Sequence, residues 1–150
     1  MILTICLSYY NQIEMLRKLI SIWEKYNSYI KQNVCFLIVD DCSKIPITDI
    51  IDFNSLSINI EIYRVTEDIY CNIGGVRNLA FKMTKTKWNL ITDMDLIISE
   101  NIMIELLNLC NVNDSNDSND SNDSNDSVYK FNRIRPDGTY KVHPALGLMT

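Results

Sequence analysis

Three apolar segments stop abruptly at polar clusters, and this pattern limits the fold more than any other feature of the sequence. Leu3 to Leu7 ends at Ser8-Tyr9-Tyr10-Asn11, Val34 to Val39 at Asp40-Asp41-Cys42-Ser43, and Trp88 to Thr92 at Asp93-Met94-Asp95. Each run is far shorter than the roughly 20 residues a membrane-spanning helix needs. Their apolarity is nearly continuous rather than alternating, which reads as a β-strand buried on both faces, as in a parallel sheet covered by helices.

The intervening segments carry helical signals. Asn11 with Glu14 three residues later has the form of a capping box. Ile13, Leu16, Leu19, Ile20, Trp23 and Tyr26 or Asn27 then follow helical spacing, predicting one helix that ends near Asn33. A short helix is expected within Pro46 to Phe53. Ile58, Ile60 and Ile62 alternate with polar residues, so Ile58 to Val65 is a further strand. Asn72 to Gly75 reads as a turn into a helix from Val76 to about Thr84, and Ser99 as the cap of a helix carrying Ile102, Met103, Leu106 and Leu109. Strands alternating with helices make βαβ units, hence an α/β fold with a mainly parallel sheet and helices on both faces.

Composition matters mainly through one repeat. Asn113 to Ser127 reads Asn-Asp-Ser five times and has no apolar residue, so ordering it would cost entropy with no burial in return. The net charge of −5 comes from the five aspartates of this tract; without them the charges balance. A neutral folded part excludes a general basic field for nucleic acid or an anionic membrane. The expected organisation is therefore a core over 1–112, a disordered low-complexity loop over 113–127, and a C-terminal strand or hairpin over 128–150. Within the last part, Val128 to Arg133 and Thr139 to Val142 read as strands around an Arg135-Pro136-Asp137-Gly138 turn. No transmembrane segment or signal peptide is legible. The five cysteines never occur as CxxC and read as reduced thiols, which with the missing leader predicts a cytoplasmic protein.

In open α/β sheets ligands bind outside the carboxyl ends of the strands. The three polar clusters each follow a strand, so all three are expected on one rim. Asp93 and Asp95, at i and i+2, are hard oxygen donors suited to Mg²⁺ or Mn²⁺ bridging to a diphosphate, or else solvated aspartates at a strand end. Asp40 and Asp41 can bond a base N–H or a ribose hydroxyl, or serve as turn and cap residues. Asn72-Ile73-Gly74-Gly75-Val76-Arg77-Asn78 places glycines and free N–H groups at a helix start, which favours phosphate, and Arg77 adds a charged fork. It matches neither the P-loop nor the dinucleotide fingerprint. Tyr9 or Tyr10 is positioned to stack on a nucleobase or to pack at the rim. His143 is the sole histidine, either a ligand or an ordinary loop residue.

Taken in order, Leu3 to Asn11, Phe36 to Ser43, Asn72 to Ala80 and Trp88 to Asp95 resemble the family 2 glycosyltransferases of the GT-A fold, over about residues 1 to 110. Tyr129 to Arg133, together with His143 to Thr150, is similar to a subgroup found in viruses and microbes; for a viral protein the expected location is the host cytoplasm. The resemblance implies a GT-A-type, Rossmann-like sheet and transfer of a sugar from a UDP- or GDP-sugar to a glycan or other acceptor hydroxyl, with Mn²⁺ or Mg²⁺. It implies that Ser8 and Tyr10 line the base pocket, Asp41 bonds the base, and Asp40 supports that loop. Arg77 would contact the donor or hold the base-binding carboxylates. Asp93 would meet ribose or metal, Asp95 the metal, and His143 the metal or acceptor. The family's catalytic base lies downstream of the region matched by His143 to Thr150, so no catalytic residue is assigned, and a C-terminally incomplete, inactive chain is expected as one outcome. The competing readings are a non-catalytic nucleotide-sugar-binding remnant and a phosphohydrolase with Asp93 as nucleophile and Asp95 as acid/base.

Overall fold

A computed structural model describes residues 1–116, 128–134 and 140–149. The elements run β1 (Leu3–Tyr9), α1 (Ile13–Trp23), α2 (Ser28–Asn33), β2 (Val34–Asp40), β3 (Asn59–Arg64), α3 (Ile73–Met83), β4 (Trp88–Thr92), α4 (Glu100–Asn116), β5 (Val128–Ile134) and β6 (Tyr140–Met149), with two 3-10 turns, Ile47–Asp49 and Phe53–Ser55, between β2 and β3. The sheet order is β3-β2-β1-β4-β6-β5. The first four strands are parallel; β6 is antiparallel to β4 and β5 antiparallel to β6. Among the described residues, no helix is long and apolar enough to cross a membrane.

Alternate side chains of β1 explain its continuous apolarity. Leu3, Ile5, Leu7 and Tyr9 enter one core with α1, α2 and α4, while Cys6 enters a second core with Leu37, Val39, Ile91 and the α3 residues Val76 and Ala80. Helices thus cover both faces, and each strand must be apolar on both. In the larger core Trp23 stacks on Phe36 with ring centroids 4.0 Å apart.

The predicted single helix from Ile13 to about Asn33 is two helices. Asn27 adopts extended backbone and its side chain accepts a hydrogen bond from Ile30 N at 3.0 Å, so it starts α2 as an N-cap. Its Nδ2 also donates to Glu100 Oε1 at 2.7 Å, tying the start of α2 to the start of α4. The capping box at Asn11 is also not formed. Gln12 occupies the cap position and makes no side-chain cap bond, while Asn11 has φ 52°. Asn11 N donates to Ser43 Oγ at 2.9 Å and its Oδ1 accepts from Lys44 N at 2.9 Å. A left-handed conformation, which asparagine tolerates, is fixed by a loop 32 residues away. Ser99 caps α4 as expected, though with a long contact, Ile102 N to Ser99 Oγ at 3.5 Å. That helix continues through Asn116, into the repeat. The rest of the repeat, residues 117–127, and the expected turn at 135–138 lie outside the described residues.

Candidate functional site

The carboxyl ends of β2, β1 and β4 open into one cleft of about 800 Å³. Adjacent strands lie about 4.8 Å apart, so the tips of β2 and β4, with β1 between them, are separated by about 10 Å. Ser8, Tyr10, Asp41, Arg77, Asp93 and Asp95 all line this space. Asp40 does not.

At the β2 tip, Asp40 is 1 % exposed. Its Oδ1 accepts from Ser43 N at 2.9 Å and its Oδ2 from Arg64 Nη1 at 2.8 Å, while Arg64 Nη2 donates to Ser43 O at 2.7 Å. The carboxylate is committed to shaping its own loop. The chain can therefore turn at Cys42, which has φ 56°, and present Asp41 to the cleft. Asp41 N donates to Tyr9 O at 2.9 Å, and its Oδ1 accepts from Asn72 Nδ2 at 3.1 Å.

At the β1 tip the two tyrosines divide. Tyr9 is 2 % exposed and packs in the larger core; burial first, and the Asp40 charge second, push its phenol above its ordinary pKa. Tyr10 is 46 % exposed, and its hydroxyl donates to Asp68 Oδ2 at 3.5 Å.

At the β4 tip a turn closed by Leu96 N to Asp93 O, 3.1 Å, carries both aspartates. Met94 between them is buried and anchors the turn. Arg77, from the second turn of α3, donates from Nη2 to Asp93 Oδ1 at 3.0 Å. The Arg77 Nε is buried and has no acceptor among the described residues.

The expected turn over Asn72 to Gly75 is instead the helix start, since α3 begins at Ile73. Gly75 is needed there for a steric reason. A Cβ at this position would stand 3.0 Å from Asn72 Cγ and closer still to its Oδ1. The glycine makes room for the carboxamide that holds Asp41.

His143 lies on β6, which pairs antiparallel with β4 through Ile91↔Gly147. Its backbone therefore falls toward the carboxyl end of β4, the end bearing Asp93 and Asp95; its side chain is outside the described residues. Among the described residues, no three His, Cys, Asp or Glu side chains gather as a metal cage. None of the five cysteines is in a disulfide, and burial raises the Cys6 thiol and pushes Cys35 up to about 11, so neither of these two is an activated nucleophile.

Sequence reasoning passed over Asn72 as a side chain and missed Asp68, Ile69, Tyr70 and Cys71, which also line the cleft. Nothing local marks the 68–71 segment. It belongs to the site because it follows β3, one strand beyond β2.

No protein-family model matches the sequence, and no curated protein matches it. Solved structures do. Staphylococcus aureus TarS 1-349 in complex with UDP-GlcNAc aligns with a TM-score of 0.65 at 20 % identity, over 75 % of this chain and 32 % of that one. The mannosyltransferase PcManGT from Pyrobaculum calidifontis, in complex with GDP-Man and Mn²⁺, aligns with a TM-score of 0.66 at 14 % identity, over 98 % of this chain and 44 % of that one. The chain thus spans less than half the length of either structure. At such identities the likeness speaks to architecture, and the architecture of this chain is the GT-A type: a parallel sheet flanked by helices, with its cleft at the carboxyl ends of the strands.

Proposed function

We propose that this chain forms the donor-binding region of a glycosyltransferase that moves a sugar from a nucleoside diphosphate sugar to a hydroxyl of a glycan or other acceptor. The observation that carries the reading is the gathering of Asp41, Arg77, Asp93 and Asp95 in one cleft on a GT-A fold. Neighbours of that fold hold UDP-GlcNAc and GDP-Man. A phosphohydrolase would need Asp93 as a nucleophile, whereas here Arg77 holds its carboxylate in an ion pair.

The two ends of the cleft suit the two ends of such a donor. Ser8 and Tyr10 border the base, Asp41 accepts a base N–H, and Asn72 fixes the Asp41 carboxylate. Asp40 acts through the loop rather than by contact. Arg77 orients Asp93 toward ribose or diphosphate. The donor set at the β4 turn is two carboxylates, hard oxygen ligands that fit Mn²⁺ or Mg²⁺ when diphosphate oxygens and water complete the shell. Asp93 and Asp95 would hold the ion, with His143 as a third candidate at the same end of β4. When bound, it would offset the charge of the departing nucleoside diphosphate.

Isothermal titration of UDP and GDP with Mn²⁺ tests the reading. Saturable binding of at least one, lost in Asp95→Ala, is expected; no binding of either overturns it. Release of sugar from the bound donor would then separate an enzyme from a donor-binding module.

A further inference from the structure

Besides Asp41, Asp93 and Asp95, the cleft is lined by a further carboxylate, Asp68. Asp41 follows β2, and Asp68 follows β3, the strand on the opposite side of β2 from β1 and β4. Both line the cleft. Side-chain donors beside them are already directed at them. Asn72 Nδ2 donates to Asp41 Oδ1 at 3.1 Å, and the Tyr10 hydroxyl donates to Asp68 Oδ2 at 3.5 Å. A carboxylate offers about four lone-pair sites, so one such bond leaves each aspartate with accepting capacity. Both aspartates can therefore still accept hydrogen bonds from a ligand in the cleft.

Bases differ in what they can offer such a surface. Guanine carries N1–H and the exocyclic N2 amine side by side, two adjacent donor groups on one edge. Uracil carries a single N3–H between two carbonyl oxygens, and a second carboxylate would face one of those oxygens with no hydrogen to share. Adenine and cytosine set one amine beside a ring-nitrogen acceptor. Leaving polar groups unmatched is what discriminates strongly between ligands.

We propose that Asp68 is a second base-reading carboxylate and that the cleft selects a guanosine diphosphate sugar over a uridine one. This rests on the donor-site reading above. Tyr10, in donating to Asp68, acts as a positioning residue for it. A carboxylate bonded by two adjacent base donors is worth a discrimination of roughly tenfold or more.

The test titrates the full chain with GDP, inosine diphosphate and UDP, each with Mn²⁺, and repeats the series on Asp68→Asn. Asp68 is exposed, so this substitution leaves the core untouched. The expected result is GDP binding about tenfold or more tighter than UDP, with inosine diphosphate, which lacks the exocyclic amine, weaker than GDP. In Asp68→Asn the GDP advantage should shrink while UDP binds no worse. UDP binding as tightly as GDP, or an unchanged ratio in Asp68→Asn, overturns the proposal and leaves the donor site standing. Failure of all three nucleotides to bind overturns the donor site itself.

Discussion

Asp40 and Asp41 are chemically identical neighbours whose roles differ because of what surrounds them. Asp40 is buried against Arg64 and the Ser43 amide, and Asp41 is turned to the cleft by the loop those bonds hold. Asp40→Asn should therefore act on both stability and binding. Losing a charge-assisted bond to Arg64 should cost about 2 kcal/mol in urea denaturation, and donor affinity should fall although the residue touches no ligand. Gly75→Ala should separate the same two properties in the opposite sense. Alanine favours a helix by up to about 1 kcal/mol over glycine, so melting temperature should hold or rise. The new methyl group would push the Asn72 carboxamide away from Asp41, and donor binding should weaken. A variant that melts earlier, or binds normally, would contradict this account of the glycine.

At the scale of elements, legibility followed burial. The edges of β4, Trp88 to Thr92, are evident in the sequence because both faces of that strand are covered. β1 runs two residues past its apolar stretch, since Ser8 and Tyr9 keep the ladder with Val39 and Asp40 although Ser8 is polar. The break between α1 and α2 was hidden because apolar spacing continues through it: Tyr26 is buried and its hydroxyl bonds Ile98 O. Asn27→Ala removes that break's N-cap and its bond to Glu100, and should cost about 1 kcal/mol by thermal denaturation.

A second joint lies on the opposite face. Lys85, between α3 and β4, donates to Glu61 of β3 at 2.8 Å. That bond lowers the Glu61 carboxyl and raises Lys85 above its ordinary 10.5. Since Glu61 titrates lower when folded than unfolded, its contribution is present above the ordinary carboxylate range and is lost as pH falls through the folded value. The Lys85 contribution is lost as pH rises through its own raised value. Glu61→Gln should thus flatten the acid limb of the stability curve slightly, because the pair is exposed. An unchanged acid limb would mean that the bond is not maintained in solution.

Over the whole molecule, parallel strand order turns sequence distance into proximity. Ser8, Asp40 and Asp93 each open a polar cluster at the end of an apolar run, so the clusters that hold Tyr10, Asp41 and Asp93 are readable from the chain alone. Asp68 and Asn72 are not readable, because their place depends on β3 flanking β2 and on a carboxamide folded over Gly75. The cleft is thus partly written in motifs and partly in topology. Its central claim is that acidic tips from separate strands serve one ligand. Amide chemical-shift mapping of the chain on addition of a nucleoside diphosphate with Mg²⁺ tests this most directly. The account predicts joint perturbation of Tyr10, Asp41, Asn72, Arg77 and Asp93 to Asp95, with Ile2, Asn33 and Lys87 at the amino ends of the strands unmoved. Shifts centred on those amino ends, or confined to a single tip, would contradict it.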